Sequence, residues 1–158
     1  INMLGPMINP SFPEKQFIGV FSLELARLYN YLYQQSGKRF VIVHTLDGYD
    51  EVSLTADVKV ITDGAEQIMT PGSLGFGKID GRELRGGKTV DETAAIFRDI
   101  LEGKGTKAQQ MVVLANAALA LYCYFPGKSL PECTGMARES IESGKALGSF
   151  RKLMDMQS

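Results

Sequence analysis

The sequence predicts an α/β fold with a mainly parallel sheet, flanking helices and a β-hairpin. Three observations support this class. A strand–helix–strand unit occupies residues 17–44, a hairpin pattern follows at residues 58–70, and helical patterns dominate the second half of the chain. A chain of 158 residues suits one compact domain that buries about two-thirds of its unfolded surface.

The strand–helix–strand unit begins with the apolar run 17–21, which is typical of a strand. Ser22 is placed to cap the following helix, and Gly37 is placed to end it in the left-handed conformation. Residues 39–44 read as a second, buried strand. Two strands joined by a helix over about thirty residues imply parallel pairing with a right-handed crossover.

Two further strands, 58–62 and 65–70, flank Asp63 and Gly64, a strong hairpin signal. The glycine-rich stretch 71–87 is expected to be an irregular connection. Residues 58–70 are therefore expected to add a hairpin to the sheet, and residues 71–87 to lead the chain away from it.

Helices are predicted for the remainder of the chain. Thr89 and Glu92 are spaced to form a capping box at the start of the first. The next, 107–125, is apolar nearly all round and should be central. Further helix boundaries are predicted near Gly103, Ser129, Gly144 and Met156.

Charge and composition exclude several classes of partner. Seventeen basic and eighteen acidic residues leave a net charge of −1, so nothing favours nucleic acid or an anionic membrane. No apolar run reaches membrane-spanning length. Cys123 and Cys133 lack metal-type spacing, which predicts a reduced cytosolic protein with two inert thiols. Because the chain begins at Ile1 within an apparently structured segment, we expect it to be a fragment.

Asp50 and Glu51 are the main candidate functional residues. They lie in a glycine-containing loop just after the buried strand 39–44, and ligands bind at the carboxyl ends of strands in α/β sheets. Mg²⁺ is usually held by one or two carboxylates together with substrate phosphates. The pair therefore predicts a magnesium-dependent enzyme acting on a phosphorylated substrate, with a solvated surface pair as the alternative.

Other motifs favour structural roles, and no catalytic acid, base or nucleophile is predicted. The segment 86–89 lacks the earlier glycine of a phosphate loop, because Arg82 stands at that position. His44, the sole histidine, has no nearby Ser or Cys nucleophile. Asn116 lies in an apolar helix, where anchoring a neighbouring loop is favoured over catalysis.

Gly5 and Pro6 belong to a rigid loop, residues 4–10. Two prolines restrict the backbone there, and Gly5 permits close approach of another group. A wall for a flat ligand and a plain turn both fit this composition.

Several motifs together indicate a known family. They occur in order, with family-like spacing, at residues 2–10, 19–21, 43–53, 70–76, 84–87, 116–118 and 143–146. This series resembles the C-terminal part of anthranilate phosphoribosyltransferase, the tryptophan-pathway enzyme. The match covers essentially the whole chain.

The resemblance implies the large α/β domain of the nucleoside phosphorylase/phosphoribosyltransferase type, with residues 1–158 as the C-terminal domain of a cytoplasmic homodimer. It implies transfer of a phosphoribosyl group from phosphoribosyl pyrophosphate to anthranilate, giving N-(5-phosphoribosyl)anthranilate and pyrophosphate. Asp50 and Glu51 match the family's Mg²⁺-binding pair. Gly5 and Pro6 match the loop that lines the anthranilate channel.

The chain also departs from the family. Thr45 stands where glycine is frequent and Thr93 where asparagine is usual, and both are expected to be peripheral to the chemistry. The family's N-terminal helical domain, phosphate loop and anthranilate-contacting arginine have no counterpart in this sequence. We therefore expect the complete protein to be an enzyme and these 158 residues alone to be inactive.

Two alternatives remain open at this point. One is a non-catalytic binding module or remnant of the same fold, and the near-neutral charge argues against its nucleic-acid-binding version. The other is a pyrimidine nucleoside phosphorylase, which shares the architecture. The sequence of the loop 4–10 favours the phosphoribosyltransferase over this alternative.

Overall fold

A computed structural model describes residue 5 and residues 9–156 of the chain. Within these residues the strands come early and most helices come late, as predicted. The elements are β1 Lys15–Gly19, α1 Leu23–Gln34, β2 Arg39–Thr45, β3 Val58–Thr62, β4 Glu66–Met69, a 3₁₀ helix Gly81–Leu84, α2 Val90–Leu101, α3 Lys107–Tyr124, α4 Leu130–Glu142 and α5 Lys145–Asp155.

The described strands form one sheet in the order β1-β2-β3-β4. β1 and β2 pair in parallel, as the strand–helix–strand unit predicted, and β3 and β4 form the predicted hairpin. The expectation of a mainly parallel sheet is wrong for these strands, because β2–β3 and β3–β4 are antiparallel. The physical reason is the connection 46–57, which contains no helix and reverses the chain at one edge of the sheet.

The two faces of β2 are buried against different layers. Phe40 and Ile42 face α1, whose Tyr29 and Tyr33 pack against the same face. Val41 and Val43 face the opposite layer, which contains α3 and α4. A strand covered on both sides reads as a continuous apolar run, which is why residues 40–43 show no alternation with polar residues.

α1 begins at the predicted cap, where the Ser22 hydroxyl accepts a hydrogen bond from the Leu25 N–H at 3.2 Å. Gly37, with φ of +66°, turns the chain back towards β2 as expected. The short crossover leaves β1 and β2 running in the same direction. Both strands therefore end at the same edge of the sheet.

α3 occupies the central position predicted for it. It contacts β1, β2, α4 and the 3₁₀ helix, and it buries Leu114, Ala115, Ala118 and Leu119. Among the described residues, none of the helices combines the length and the apolar character needed to cross a bilayer. The apolar composition of α3 is thus explained by packing inside the domain.

The cap of α2 differs in detail from the prediction. The Thr89 hydroxyl accepts from the Glu92 N–H at 3.1 Å, as a capping residue does. The Glu92 carboxylate, however, accepts from the N–H of Lys88 at 2.6 Å instead of reaching Thr89. The predicted reciprocal box is therefore shifted by one residue. The predicted break at Gly144, with φ of +76°, is confirmed.

Candidate functional site

The two predicted metal ligands lie in the connection between β2 and β3, residues 46–57, which we call the acidic loop. Asp50 and Glu51 are both solvent-exposed within it. The loop leaves the carboxyl end of β2, beside the carboxyl end of the parallel β1. This is the sheet edge at which α/β proteins bind ligands.

The base of the acidic loop is closed by backbone hydrogen bonds. The Gly48 N–H donates to the Thr45 carbonyl at 2.9 Å, and the Thr45 N–H donates to the Tyr49 carbonyl at 3.0 Å. Gly48 has φ of +108°, a conformation that favours glycine. The Asp47 carboxylate also accepts from the Thr55 hydroxyl at 2.5 Å. The loop therefore begins as a tight turn, and one of its carboxylates serves to hold that turn.

Thr45, at the end of β2, contacts the main chain of the acidic loop. It is completely buried at the end of β2. Its hydroxyl donates to the Glu51 carbonyl at 2.5 Å and accepts from the Ser53 N–H at 3.3 Å. The residue immediately before the loop thus bonds to the backbone on both sides of Val52.

Asn116 anchors the same stretch from α3, as predicted for it. Its Oδ1 accepts from the Val52 N–H at 3.0 Å, and its Nδ2 donates to the Val52 carbonyl at 2.8 Å. The same Nδ2 group donates to the Val112 carbonyl one helical turn earlier, at 2.9 Å. The amide therefore satisfies both backbone groups of a buried residue that follows Glu51 directly.

Gly19 supports the acidic loop in a way that motif reasoning missed. A Cβ atom at this position would lie 1.6 Å from the Asp50 carbonyl oxygen, so only glycine allows the loop to lie against the end of β1. The sequence did carry a signal. An isolated glycine within the apolar strand pattern 17–21 is typical of a close backbone approach.

His44 stabilises the same sheet edge. It is buried, and its Nδ1 lies 2.8 Å from the Val20 carbonyl. The Val20 N–H in turn donates to the Val43 carbonyl at 3.0 Å. His44, the sole histidine, therefore links the two chain segments just after the last paired residues of β1 and β2.

The electrostatics of the acidic loop favour a bound cation. Neither Asp50 nor Glu51 forms an ion pair with any residue in the part of the chain that the structure describes. Partial removal of water from the Glu51 carboxylate by the surrounding loop raises its pKa, and the neighbouring Asp50 charge raises it further. The positive charge of a divalent cation would favour the ionised form of Glu51 and so offset both effects.

The chemistry of the donor set fits Mg²⁺. Carboxylate oxygens are hard ligands, and Mg²⁺ is commonly held by one or two of them with the remaining positions filled by water and substrate phosphate. Among residues 5 and 9–156, no group of three or more His, Cys, Asp or Glu side chains is arranged to hold a metal ion. Two carboxylates such as those of Asp50 and Glu51 fit Mg²⁺ when other oxygen atoms complete its coordination shell.

The remaining predicted residues have the following positions. Gly5 is an exposed turn residue, whereas Pro6 lies outside the described residues, so the prediction for this pair stays a prediction. Cys123 and Cys133 are buried free thiols, and burial raises the pKa of both. Gly87 packs closely against the first turn of α2, which Thr89 caps, as expected for a loop that leads into a helix.

Comparison with known proteins identifies relatives over nearly the whole chain. Residues 1–147 match the glycosyl transferase family, a/b domain. The anthranilate phosphoribosyltransferase of Bacteroides fragilis is 50% identical over 155 residues, which make up 98% of this chain and 47% of that protein. The chain thus spans about half the length of the curated relatives it matches.

Solved structures of anthranilate phosphoribosyltransferase from Saccharomyces cerevisiae share the fold. One, in complex with 4-fluoroanthranilate, has a TM-score of 0.86 at 27% identity and covers 96% of this chain and 45% of its own. Another, in complex with PRPP and Mg, has a TM-score of 0.84 at 28% identity and covers 96% of this chain and 44% of its own.

These comparisons confirm the α/β class and the resemblance that the motifs indicated. They add that the acidic loop lies within the matched region. The chain belongs to the glycosyl transferase family, whose a/b domain accounts for residues 1–147.

Proposed function

We propose that these residues form the α/β domain of an anthranilate phosphoribosyltransferase. The observation that carries the proposal is the acidic loop, which holds two carboxylates at the carboxyl edge of the sheet without an ion-pair partner among the described residues. The names of the relatives over 98% of the chain support the same activity. The relatives are about twice as long as this chain, and we propose that the phosphate-binding residues lie in the helical domain and phosphate loop that the resemblance implies.

The reaction replaces one bond at the anomeric carbon of the ribose. The bond from this carbon to the pyrophosphate oxygen breaks with its electron pair, and the amine nitrogen of anthranilate forms the new bond and loses a proton. The amine is already nucleophilic, so no activated Ser or Cys is required. What the protein must supply is orientation of the reactants and stabilisation of the charge that develops on the leaving group.

Asp50 and Glu51 would hold the magnesium ion for this step. When bound, Mg²⁺ would neutralise negative charge on the pyrophosphate oxygens and orient the leaving group. The two side chains act as metal ligands and not as acid and base. Because they follow one another in a non-helical loop, their carboxylates can point in different directions and share the ion with substrate oxygens.

Gly5 and Pro6 are proposed to line the path of the flat anthranilate ring. A proline-restricted loop offers a rigid wall, and the absence of a side chain at Gly5 allows close approach of the ring. The complete protein is proposed to act in the cytoplasm as a homodimer. Light scattering of the purified gene product tests the oligomeric state.

The first prediction concerns the double substitution Asp50→Asn with Glu51→Gln in the gene product that carries these residues. It should reduce Mg²⁺-dependent turnover of anthranilate and phosphoribosyl pyrophosphate by about 100-fold, because both charged ligands are lost. The fold should stay intact, since both side chains are exposed. Steady-state rates across a Mg²⁺ titration, with circular dichroism as the check on folding, measure both expectations.

The chain offers a matched control in its second adjacent Asp-Glu pair. Asp91→Asn with Glu92→Gln removes the same two charges from the start of α2 and should leave the Mg²⁺ response unchanged. An unaltered Mg²⁺ response in the Asp50 and Glu51 variant would remove this pair from the site. Turnover of a pyrimidine nucleoside with phosphate, in place of the anthranilate reaction, would replace the proposed activity by nucleoside phosphorolysis.

A further inference from the structure

Thr45 is a buried hydroxyl that the proposed chemistry does not yet use. It is the last residue of β2, and its relative exposure is 0%. Its backbone is held by the sheet, where it lies opposite Val58, and by hydrogen bonds to Gly48 and Tyr49. The position of its hydroxyl is therefore fixed by sheet pairing and by the turn at the base of the acidic loop.

The hydroxyl contacts the backbone beside the acidic pair. It donates to the Glu51 carbonyl at 2.5 Å and accepts from the Ser53 N–H at 3.3 Å. Both polar groups of the intervening Val52 are bonded to the Asn116 amide on α3. The end of β1 at Gly19 lies against the Asp50 carbonyl. The main chain of residues 50–53 is thus contacted by β1, β2 and α3, while the Asp50 and Glu51 side chains remain exposed.

We propose that Thr45 is a positioning residue for the cation held by Asp50 and Glu51, through its hydroxyl bridge across residues 51–53. This inference rests on the proposed function and deepens it. Thr45 is buried beneath the loop and bonds only to main-chain atoms among its described contacts, so its action on a ligand is indirect. Groups that hold metal ligands in their orientation affect how tightly the metal binds. Their loss typically lowers metal affinity or activity by about 10- to 100-fold.

The two hydrogen bonds that Thr45 makes to the loop require a hydroxyl in its side chain. A single side-chain atom must donate to a carbonyl and accept from an N–H, and an O–H group does both. Valine has nearly the same shape as threonine and makes neither bond, which would leave the Glu51 carbonyl and the Ser53 N–H without this partner. Serine keeps both bonds and loses only a methyl group. The two substitutions therefore separate hydrogen bonding from packing.

The test compares Thr45→Val and Thr45→Ser in the gene product that carries these residues. For Thr45→Val, the Mg²⁺ concentration that gives half-maximal activity should rise about tenfold, while serine should restore most of the original value. Thr62→Val is the matched control. The Thr62 hydroxyl likewise bonds to nearby backbone, at Gly64 and Ala65, but at the opposite end of β3. Its removal should leave the Mg²⁺ response unchanged.

Thermal unfolding of each variant accompanies the kinetics, so that a general loss of stability is separated from a change in metal response. The proposal is overturned if Thr45→Val leaves the half-saturating Mg²⁺ concentration unchanged, if serine behaves like valine, or if Thr62→Val produces the same rise. The Asp50→Asn with Glu51→Gln variant is measured in parallel. If that variant keeps the normal Mg²⁺ response, the metal site itself fails; if it loses the response while Thr45→Val does not, only the role of Thr45 fails.

Discussion

The chain contains the dipeptide Asp-Glu twice, and the two copies are held by different kinds of contact. Asp91 and Glu92 lie in the first turn of α2, where the N-terminal end of the helix dipole favours negative charge and Glu92 accepts from a backbone N–H four residues earlier. Asp50 and Glu51 lie in the acidic loop, whose supports come from residues as distant as Asn116.

The difference shows how the same two side chains come to lie in different environments. The α2 pair is stabilised by local structure, so its charges complete a helix end. The acidic-loop pair is held in place by tertiary contacts to its main chain, and these contacts leave its carboxylates exposed and without an ion-pair partner among the described residues. An acidic pair with a fixed main chain and free carboxylates is suited to binding a cation.

We expect the largest difference between the two Asp-Glu pairs when the glycine that packs against each pair is replaced by alanine. Gly19→Ala places a Cβ atom 1.6 Å from the Asp50 carbonyl and should destabilise the protein by about 3 kcal/mol, because neither strand end nor loop can move without breaking buried hydrogen bonds. It should also remove most Mg²⁺-dependent activity. Urea unfolding and a Mg²⁺ titration of the rate measure the two effects.

Gly87→Ala is the counterpart at α2, since its Cβ would lie 2.5 Å from the Thr93 N–H nitrogen and 2.6 Å from the Glu92 Cβ. It should loosen only the helix start and leave the Mg²⁺ response intact. Gly64→Ala, which meets no atom within 4 Å, should have little effect on either quantity. Equal loss of Mg²⁺ response in the Gly19 and Gly87 variants would contradict the distinction between the two pairs.

We expect a smaller loss of stability when the side chain that hydrogen-bonds to the backbone beside each pair is removed. Asn116→Ala leaves both backbone groups of the buried Val52 without their partner and should cost about 2 kcal/mol of stability. Thr89→Ala removes the hydroxyl cap of α2 and should cost about 1 kcal/mol. Urea denaturation of both variants gives the free energies. If only the Asn116 variant also weakens the response to Mg²⁺, tertiary anchoring of the acidic loop is supported; a normal Mg²⁺ response in both would count against it.

The smallest effect is a pH dependence in the metal-free protein. The pKa of Glu51 is raised above its ordinary value of 4.5, chiefly by loss of water around the carboxylate. Its contribution to stability is therefore full below pH 4.5 and is lost as the pH rises through the folded-state pKa. Glu51→Gln should raise the Tm at pH 7, and this difference from the parent protein should vanish at low pH.

Glu66 provides the control of opposite sign. The hydrogen bond from Lys59, with which it also forms an ion pair at 2.8 Å, lowers the pKa of Glu66. Its stabilising contribution is therefore present above its ordinary pKa and is lost as the pH falls through the lower folded-state value. Glu66→Gln should lower the Tm at pH 7, with the difference closing in acid. Thermal unfolding is measured from pH 3 to 8 with a chelator present. If Glu51→Gln and Glu66→Gln shift the Tm at pH 7 in the same direction, the opposite pKa shifts of these two residues are contradicted.

Much of the fold could be predicted from local pattern. The cap at Ser22, the turn at Gly37, the hairpin around residues 63–64 and the break at Gly144 each depend on neighbours within a few positions. The mainly parallel pairing was wrong because strand direction depends on how residues 46–57 pack, and no local signal reports that path.

The sequence by itself determined the α/β class, the helix boundaries, the family motifs and the two acidic residues, because all of these depend on the chemistry and spacing of near neighbours. Only the tertiary structure decided how the acidic pair is held. Gly19 lies 31 residues before Asp50, and Asn116 lies 64 residues after Val52. The hydrogen bonds from Thr45 to residues 51 and 53 form only when the loop folds back over it. Such contacts form through packing of distant segments, whose partners no periodicity or spacing in the sequence identifies.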